Sequence, residues 1–305
     1  MNLAKALRAR YPNNSERIQL LRQRLEEVCI AFIETDHGDG NAMQKLCSAD
    51  DSQYWQQLSE VLVANQLLKV NLPITHPTEG PDFVFDCDSC RIWIEVICPE
   101  PRGIPDDWTK HISGTAVTLP HEAILLRWSA AIKEKAEKLL GKPGMSGYLD
   151  KQTVGLNDVY VIAVNGRLLR GFNGVFPELT GISQYPYAVE ATFALGPLQV
   201  AINKTTLKAT EKGHQHRPLI SKSKGNAVPA DTFFDPKFAP VSAIWAVDLD
   251  ELLLLGEVRP MAVIHNPLAT NRLRKGVLPA QSEYEAVDGG AYFQLTTQNG
   301  RSAVA

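Results

Sequence analysis

A chain of 305 residues with 44% hydrophobic content and a formal net charge of -3 holds enough apolar material for one large core or two modest ones, which excludes a chain disordered by composition. The near-neutral charge excludes nucleic-acid binding driven by global charge, so any such partner must be held by a local patch. No run of about 18 uncharged apolar residues occurs, the opening Met1-Asn2-Leu3-Ala4-Lys5-Ala6-Leu7-Arg8 does not read as a secretory signal, and the 5 cysteines are an odd number. The expectation is a cytoplasmic protein with reduced thiols and no membrane partner.

Taken in chain order, Ile18, Leu21, Leu25, Val28 and Phe32 recur three and four apart and predict a helix. Thr35 to Asn41 reads as a loop, and Asp50-Asp51-Ser52 offers caps for a second helix running to about Leu68, with Glu60 interrupting the apolar series of Leu58, Val61, Leu62 and Leu68. From Pro81 to Ile97 the pattern becomes strand, turn, strand: Phe83-Val84-Phe85, then Asp86 to Cys90, then Ile92 to Ile97. The Cys87-x-x-Cys90 spacing matches half of a zinc knuckle, but without a second half it reads as the hairpin turn. Ala123 to Leu140 is a helix ended by Gly141-Lys142-Pro143-Gly144, and Val159 to Val164 is an apolar run closed by Asn165-Gly166, which suits a strand buried on both faces.

Further on, turn-rich stretches around 171–186 and 213–240 separate two more strands, Val241 to Val247 and Pro260 to His265. The expected division is a helical N-terminal extension (1–50), a core (51–165) and a C-terminal elaboration that continues the same sheet (166–305). One basic stretch stands out, with Lys204, Lys208, Lys212, Arg217, Lys222 and Lys224 set against the single acid Glu211. It reads either as a solvated loop or as a phosphate-contacting, nucleic-acid-binding segment.

Chemistry concentrates on Asp82 and Glu95. Asp82 opens the first strand of the hairpin and Glu95 lies near the end of the second, so antiparallel pairing brings both carboxylates to one end of the sheet. Trp93, Glu95 and Ile97 fall on one face of the strand and Ile92, Ile94 and Val96 on the other. A carboxylate inserted in an apolar strand needs a partner, and a hard divalent cation is one.

Pro81-Asp82, twelve intervening residues and Glu95-Val96-Ile97 resemble the PD-(D/E)XK, or restriction-endonuclease-like, nuclease superfamily. The segment from Ile92 to Pro101 is also similar to uncharacterised bacterial members. The resemblance covers roughly residues 52 to 165. It implies an α/β fold with an α-β-β-β-α-β core and a mixed central sheet, whose third strand would have to be Lys69-Val70-Asn71-Leu72. It also implies Mg or Mn bound by Asp82, Glu95, the backbone carbonyl of Val96 and Glu60, and hydrolysis of phosphodiester bonds in DNA or RNA. The lysine that closes the motif is replaced by Ile97. Members can place a substitute cation on the following helix, where Arg127 and Lys135 are the candidates: eight residues at about 100° each put them roughly 80° apart on one broad face. The alternative is a non-catalytic module of the same fold that binds nucleic acid or protein; a homodimer is compatible with either.

Overall fold

A computed structural model describes residues 2–87, 90–110, 116–171, 179–222, 224–288 and 293–300. Four helices come first: α1 (Leu3–Arg10), α2 (Glu16–Glu34), α3 (Ala42–Leu46) and α4 (Asp51–Lys69). The Asp50 side chain caps α4 by accepting a hydrogen bond from the Gln53 N–H at 2.9 Å. Strands β1 (Phe83–Cys87) and β2 (Cys90–Ile97) pair antiparallel with Phe83 opposite Ile94; the turn at Asp88 and Ser89, and with it the reading of the cysteine spacing, lies outside the described residues. A crossover through α5 (Asp106–Thr109) and α6 (His121–Leu140) leads to β3 (Val159–Asn165), which runs parallel to β2. There follow α7 (Tyr187–Phe193), β4 (Leu195–Ile202), β5 (Ala209–His216), β6 (Leu219–Ile220), β7 (Val228–Pro229), β8 (Ala243–Val247), β9 (Met261–His265), β10 (Ser282–Asp288) and β11 (Phe293–Asn299).

The chain is a mixed α/β fold with one large central sheet of seven strands in the order β1-β2-β3-β8-β9-β10-β11; β4-β5 and β6-β7 form separate two-stranded ribbons. Strand alternation separates two cores. Ile92, Ile94 and Val96 pack with the side of the sheet covered by α1 to α4, and Trp93 and Ile97 pack with the side covered by α6 and α7. Covered on both faces, β3 buries all seven of its residues, which is why its sequence is a continuous apolar run.

The segment Lys69 to Leu72 is not a strand. Lys69 ends α4, Asn71 adopts a left-handed backbone (φ 58°), and the Leu72 N–H returns to the Leu67 carbonyl at 3.1 Å, so these residues turn the chain out of the helix. Among the described residues, the outer edge of β1 is instead met by Thr75 alone, whose N–H and C=O bond the C=O and N–H of Val84, each at 2.9 Å. Pro73 and Pro77 flank Thr75 two residues away on either side and lack the N–H that would extend the pairing. All five cysteines are free thiols, and among the described residues no helix is long and apolar enough to cross a membrane.

One buried polar residue ties the layers together. At the end of β3, Asn165 donates from Nδ2 to Ser59 Oγ of α4 at 2.8 Å and to the Leu249 carbonyl at 3.0 Å, while its Oδ1 accepts from the Leu249 N–H at 3.0 Å. Asn165→Ala leaves both backbone groups of Leu249 buried without a partner, at roughly 1–3 kcal/mol for each. A loss of about 3 kcal/mol in urea unfolding is expected, and a loss below about 1 kcal/mol would show that the chain leaving β8 is held by something else.

Candidate active site

β2 is longer than its partner. Because β1 begins at Phe83, opposite Ile94, the residues Glu95 to Ile97 extend past the hairpin pairing and leave a slot between α4 on one face and α6 on the other. The backbone of Val96 faces that slot without a β1 partner and is satisfied by side chains instead. Its N–H donates to Asp82 Oδ2 at 2.6 Å, and its carbonyl accepts from Gln56 Nε2 at 3.3 Å. The Asp82 carboxylate thus takes the place that a continuing strand would fill. Its own carbonyl accepts a hydrogen bond from Nδ1 of His76 at 2.8 Å, which fixes that ring on the wall of the slot.

The slot opens into a cleft of about 500 Å³ at the C-terminal end of β2, the usual position for a binding site in a sheet of this kind. Glu60, Asp82, Arg127 and Lys135, four residues singled out from the sequence, line this cleft. Glu60 comes from the middle of α4, where Gln56 and Gln57 donate to its two oxygens at 3.0 and 2.7 Å. Arg127 and Lys135 come from α6, two turns apart on one face; Arg127 donates from Nε to the Glu100 carbonyl at 2.7 Å. Glu95 stands behind the wall, 1% exposed, with the Lys135 and Lys138 ammonium groups both at 2.7 Å from Oε1 and the Tyr148 hydroxyl at 3.4 Å from Oε2.

Burial raises the pKa of Asp82 to about 8, with the carboxylates of Glu95 and Glu60 adding repulsion and Lys135 and the Val96 N–H opposing. Burial also raises the pKa of Glu60, against hydrogen bonds from its two glutamines. At Lys138 burial disfavours the charge, but Glu95 outweighs it and holds the ammonium above its ordinary pKa. Burial and the neighbouring Arg102 lower the pKa of Arg127. The cleft therefore confronts crowded carboxylates on α4 and just before β1 with cations on α6.

The donor chemistry suits a hard divalent cation: the Asp82 and Glu60 carboxylates and the Val96 carbonyl offer only oxygen. Glu95 is the exception, since both lysines occupy it, and among the described residues no three acidic, histidine or cysteine side chains stand close enough together to hold an ion.

The predicted basic residues are spread over several elements. Lys204, Lys208 and Lys212 are exposed on the β4-β5 ribbon; Lys222 and Lys224 lie between β6 and β7; and Arg217 is drawn to Glu122 at the start of α6, at 2.8 Å. The loop reading also fails for 209–216, which forms β5, because its polar alternation, paired with β4, still makes a strand that faces water. Sequence reasoning missed Gln56, His76, Tyr148 and Lys138 as parts of the cleft and its wall. Two had a signal: Gln56 precedes Glu60 by one helical turn, and Lys138 follows Lys135 by three residues, so each pair shares a helix face. His76 and Tyr148 lie in connections, where spacing carries no such information. Comparison with family models, with curated proteins and with solved structures finds no match to this chain.

Native Asp82 keeps its proton to about pH 8, whereas an unfolded aspartate loses it near pH 3.9. Across that window the native state binds more protons, so stability falls as pH rises and levels off above pH 8. Asp82→Asn retains an acceptor for the Val96 N–H and removes the titration. In chelator, the variant should match the parent near pH 4 and exceed it increasingly toward pH 8. Because Asp82 is only half-buried, water in the cleft should keep the slope below the full value of about 1.4 kcal/mol per pH unit. Parallel pH profiles of urea stability for parent and variant would contradict a burial-raised carboxyl.

Proposed function

We propose that this protein is a metal-dependent nuclease with a restriction-endonuclease-like core, acting on DNA or RNA with Mg or Mn. The observation that carries the reading is the convergence of Glu60, Asp82, Lys135 and Arg127 on one cleft at the end of β2, from three elements, with Glu95 directly behind it. The succession α4, β1, β2, α6, β3 supports it, with the single pairing of Thr75 standing in for a further strand at the edge of β1.

Asp82, Glu60 and the carbonyl of Val96 would hold the cation, and Glu95 would join them on release by its lysines. The cation would supply charge neutralisation at the scissile phosphate and a more acidic water. Lys135, which cannot be replaced by the side chain of Ile97, aligns the Glu95 carboxylate and places an ammonium at the cleft. Lys138 shares Glu95 and keeps a buried carboxylate from losing every partner when Lys135 bonds elsewhere. Arg127, anchored through Nε to the Glu100 carbonyl, presents the rest of its guanidinium to an anionic substrate.

A second reading, a module of this fold that binds without cutting, is favoured by one observation: Glu95 is saturated by two lysines, which satisfies its charge without a metal.

The two readings separate on α6. Lys133, two residues from Lys135, pairs with Glu137 on the exposed side of the helix at 3.7 Å and serves as control. Lys135→Met should keep the fold, because Lys138 still pairs with Glu95, and lower the single-turnover cleavage rate by roughly 10² or more, the scale of losing one transition-state donor. Lys133→Met should change little. A parent protein that binds no Mn²⁺ and cuts neither DNA nor RNA would establish the binding module in its place.

A further inference from the structure

The β4-β5 ribbon buries almost nothing of its own length. Its base is fixed: Arg217 reaches Glu122 on α6, the Arg217 N–H bonds the Ala194 carbonyl at 2.6 Å, and the His214 ring packs edge-on against Tyr185 at 5.3 Å. Beyond the base the ribbon is open on both faces. On one face of β4, Leu198, Val200 and Ile202 are 41%, 48% and 60% exposed, and Lys212 stands opposite Val200 across the strands. Lys204 and Lys208 flank the connection, and both are exposed. A two-stranded hairpin with no core is marginal in water, so this much bare apolar surface on an anchored ribbon implies something that covers it.

We infer that the β4-β5 ribbon is a docking element for double-stranded DNA, entering the major groove; this rests on the reading of the protein as a nucleic-acid enzyme. Charge complementarity favours nucleic acid, since lysines are depleted from the centres of protein interfaces, whereas three of them sit along or beside this apolar face. Shape favours the DNA duplex: two strands about 4.8 Å apart make a ribbon that the major groove of B-form DNA, about 12 Å wide, admits, while the deep, narrow groove of A-form RNA does not. Composition disfavours single strands, which are held by stacking on aromatic rings, because 195–216 contains no Phe, Tyr or Trp. Lys204, Lys208 and Lys212 would meet phosphates, and Val200 and Ile202 would meet the thymine methyl groups that the major groove displays.

The test is binding of the full chain, in EDTA so that cleavage plays no part, to a labelled 20-base-pair DNA duplex, its single strand and the matching RNA duplex, followed by fluorescence anisotropy over a range of salt. The parent should prefer the DNA duplex by at least about tenfold. Replacing Lys204, Lys208 and Lys212 together by Gln should lower that affinity by about tenfold or more and reduce the slope of log affinity against log salt by about 0.9 for each phosphate that is no longer neutralised. Val200→Ser with Ile202→Ser should weaken binding and leave the slope unchanged. As all five positions are exposed, thermal melts should match the parent and exclude misfolding. An unchanged slope in the lysine variant, equal affinity for the three nucleic acids, or a dimer in sedimentation that the serine variant dissolves without loss of DNA binding would overturn the inference. Duplex binding without cleavage would count against the proposed catalysis alone; cleavage with an unaffected lysine variant would count against the ribbon alone.

Discussion

A carboxylate in a sheet strand buried on both faces is the constraint on which the rest of this site depends. Glu95 sits where alternation assigns an apolar side chain, against the core shared with Trp93 and Ile97, and its charge cannot be left there alone. Two lysines one turn apart on α6 satisfy it, and that requirement fixes the rotation of α6 on the sheet: the face carrying Lys135 and Lys138 must look at β2, which brings Arg127, two turns earlier, to the same cleft. On the opposite face α4 delivers Glu60 because Gln56 reaches past it to the backbone of Val96 and Cys98. The cleft is therefore a by-product of how three elements satisfy one another's polar groups.

Those arrangements oppose stability. Glu60 and Asp82 are held where burial and mutual repulsion disfavour their charged forms, and an apolar pair in their place would fold at lower cost. Buried ion pairs of this kind contribute little net stability compared with hydrophobic packing, while losing one partner is expensive. Buried ion pairs also occur elsewhere, as between Arg259 and Asp250 and between His265 and Glu283, but around this cleft two carboxyls are held together with their charged forms disfavoured.

Much of this was legible in the sequence for a simple reason: a buried strand writes a continuous apolar run, and Glu95 is conspicuous only against that run. β3, β8 and β9 were visible on the same ground, and Glu60 stood out inside an apolar helix for the same cause. What stayed hidden depends on partners distant in sequence. The edge of β1 could not be placed because a single backbone bridge at Thr75 leaves no periodic pattern, while the apolar Val70 and Leu72 imitate a strand although they close a helix. β4, β5, β10 and β11 were missed because strands open to water on one or both faces lack the apolar signature. Tyr148 reaches Glu95 only after the chain has turned at the end of α6.

The lysines also bear on how a resting site could become an active one. Lys135 and Lys138 hold Glu95 through ion pairs for which an anionic substrate would compete. On the proposed reading, a phosphate that drew those lysines away would free Glu95 for a cation, and cation and substrate would then reinforce one another's binding by a coupling that must be reciprocal. On the same reading, the charge that Ile97 cannot supply from the strand would come from α6, and that placement would make the exchange of partners available.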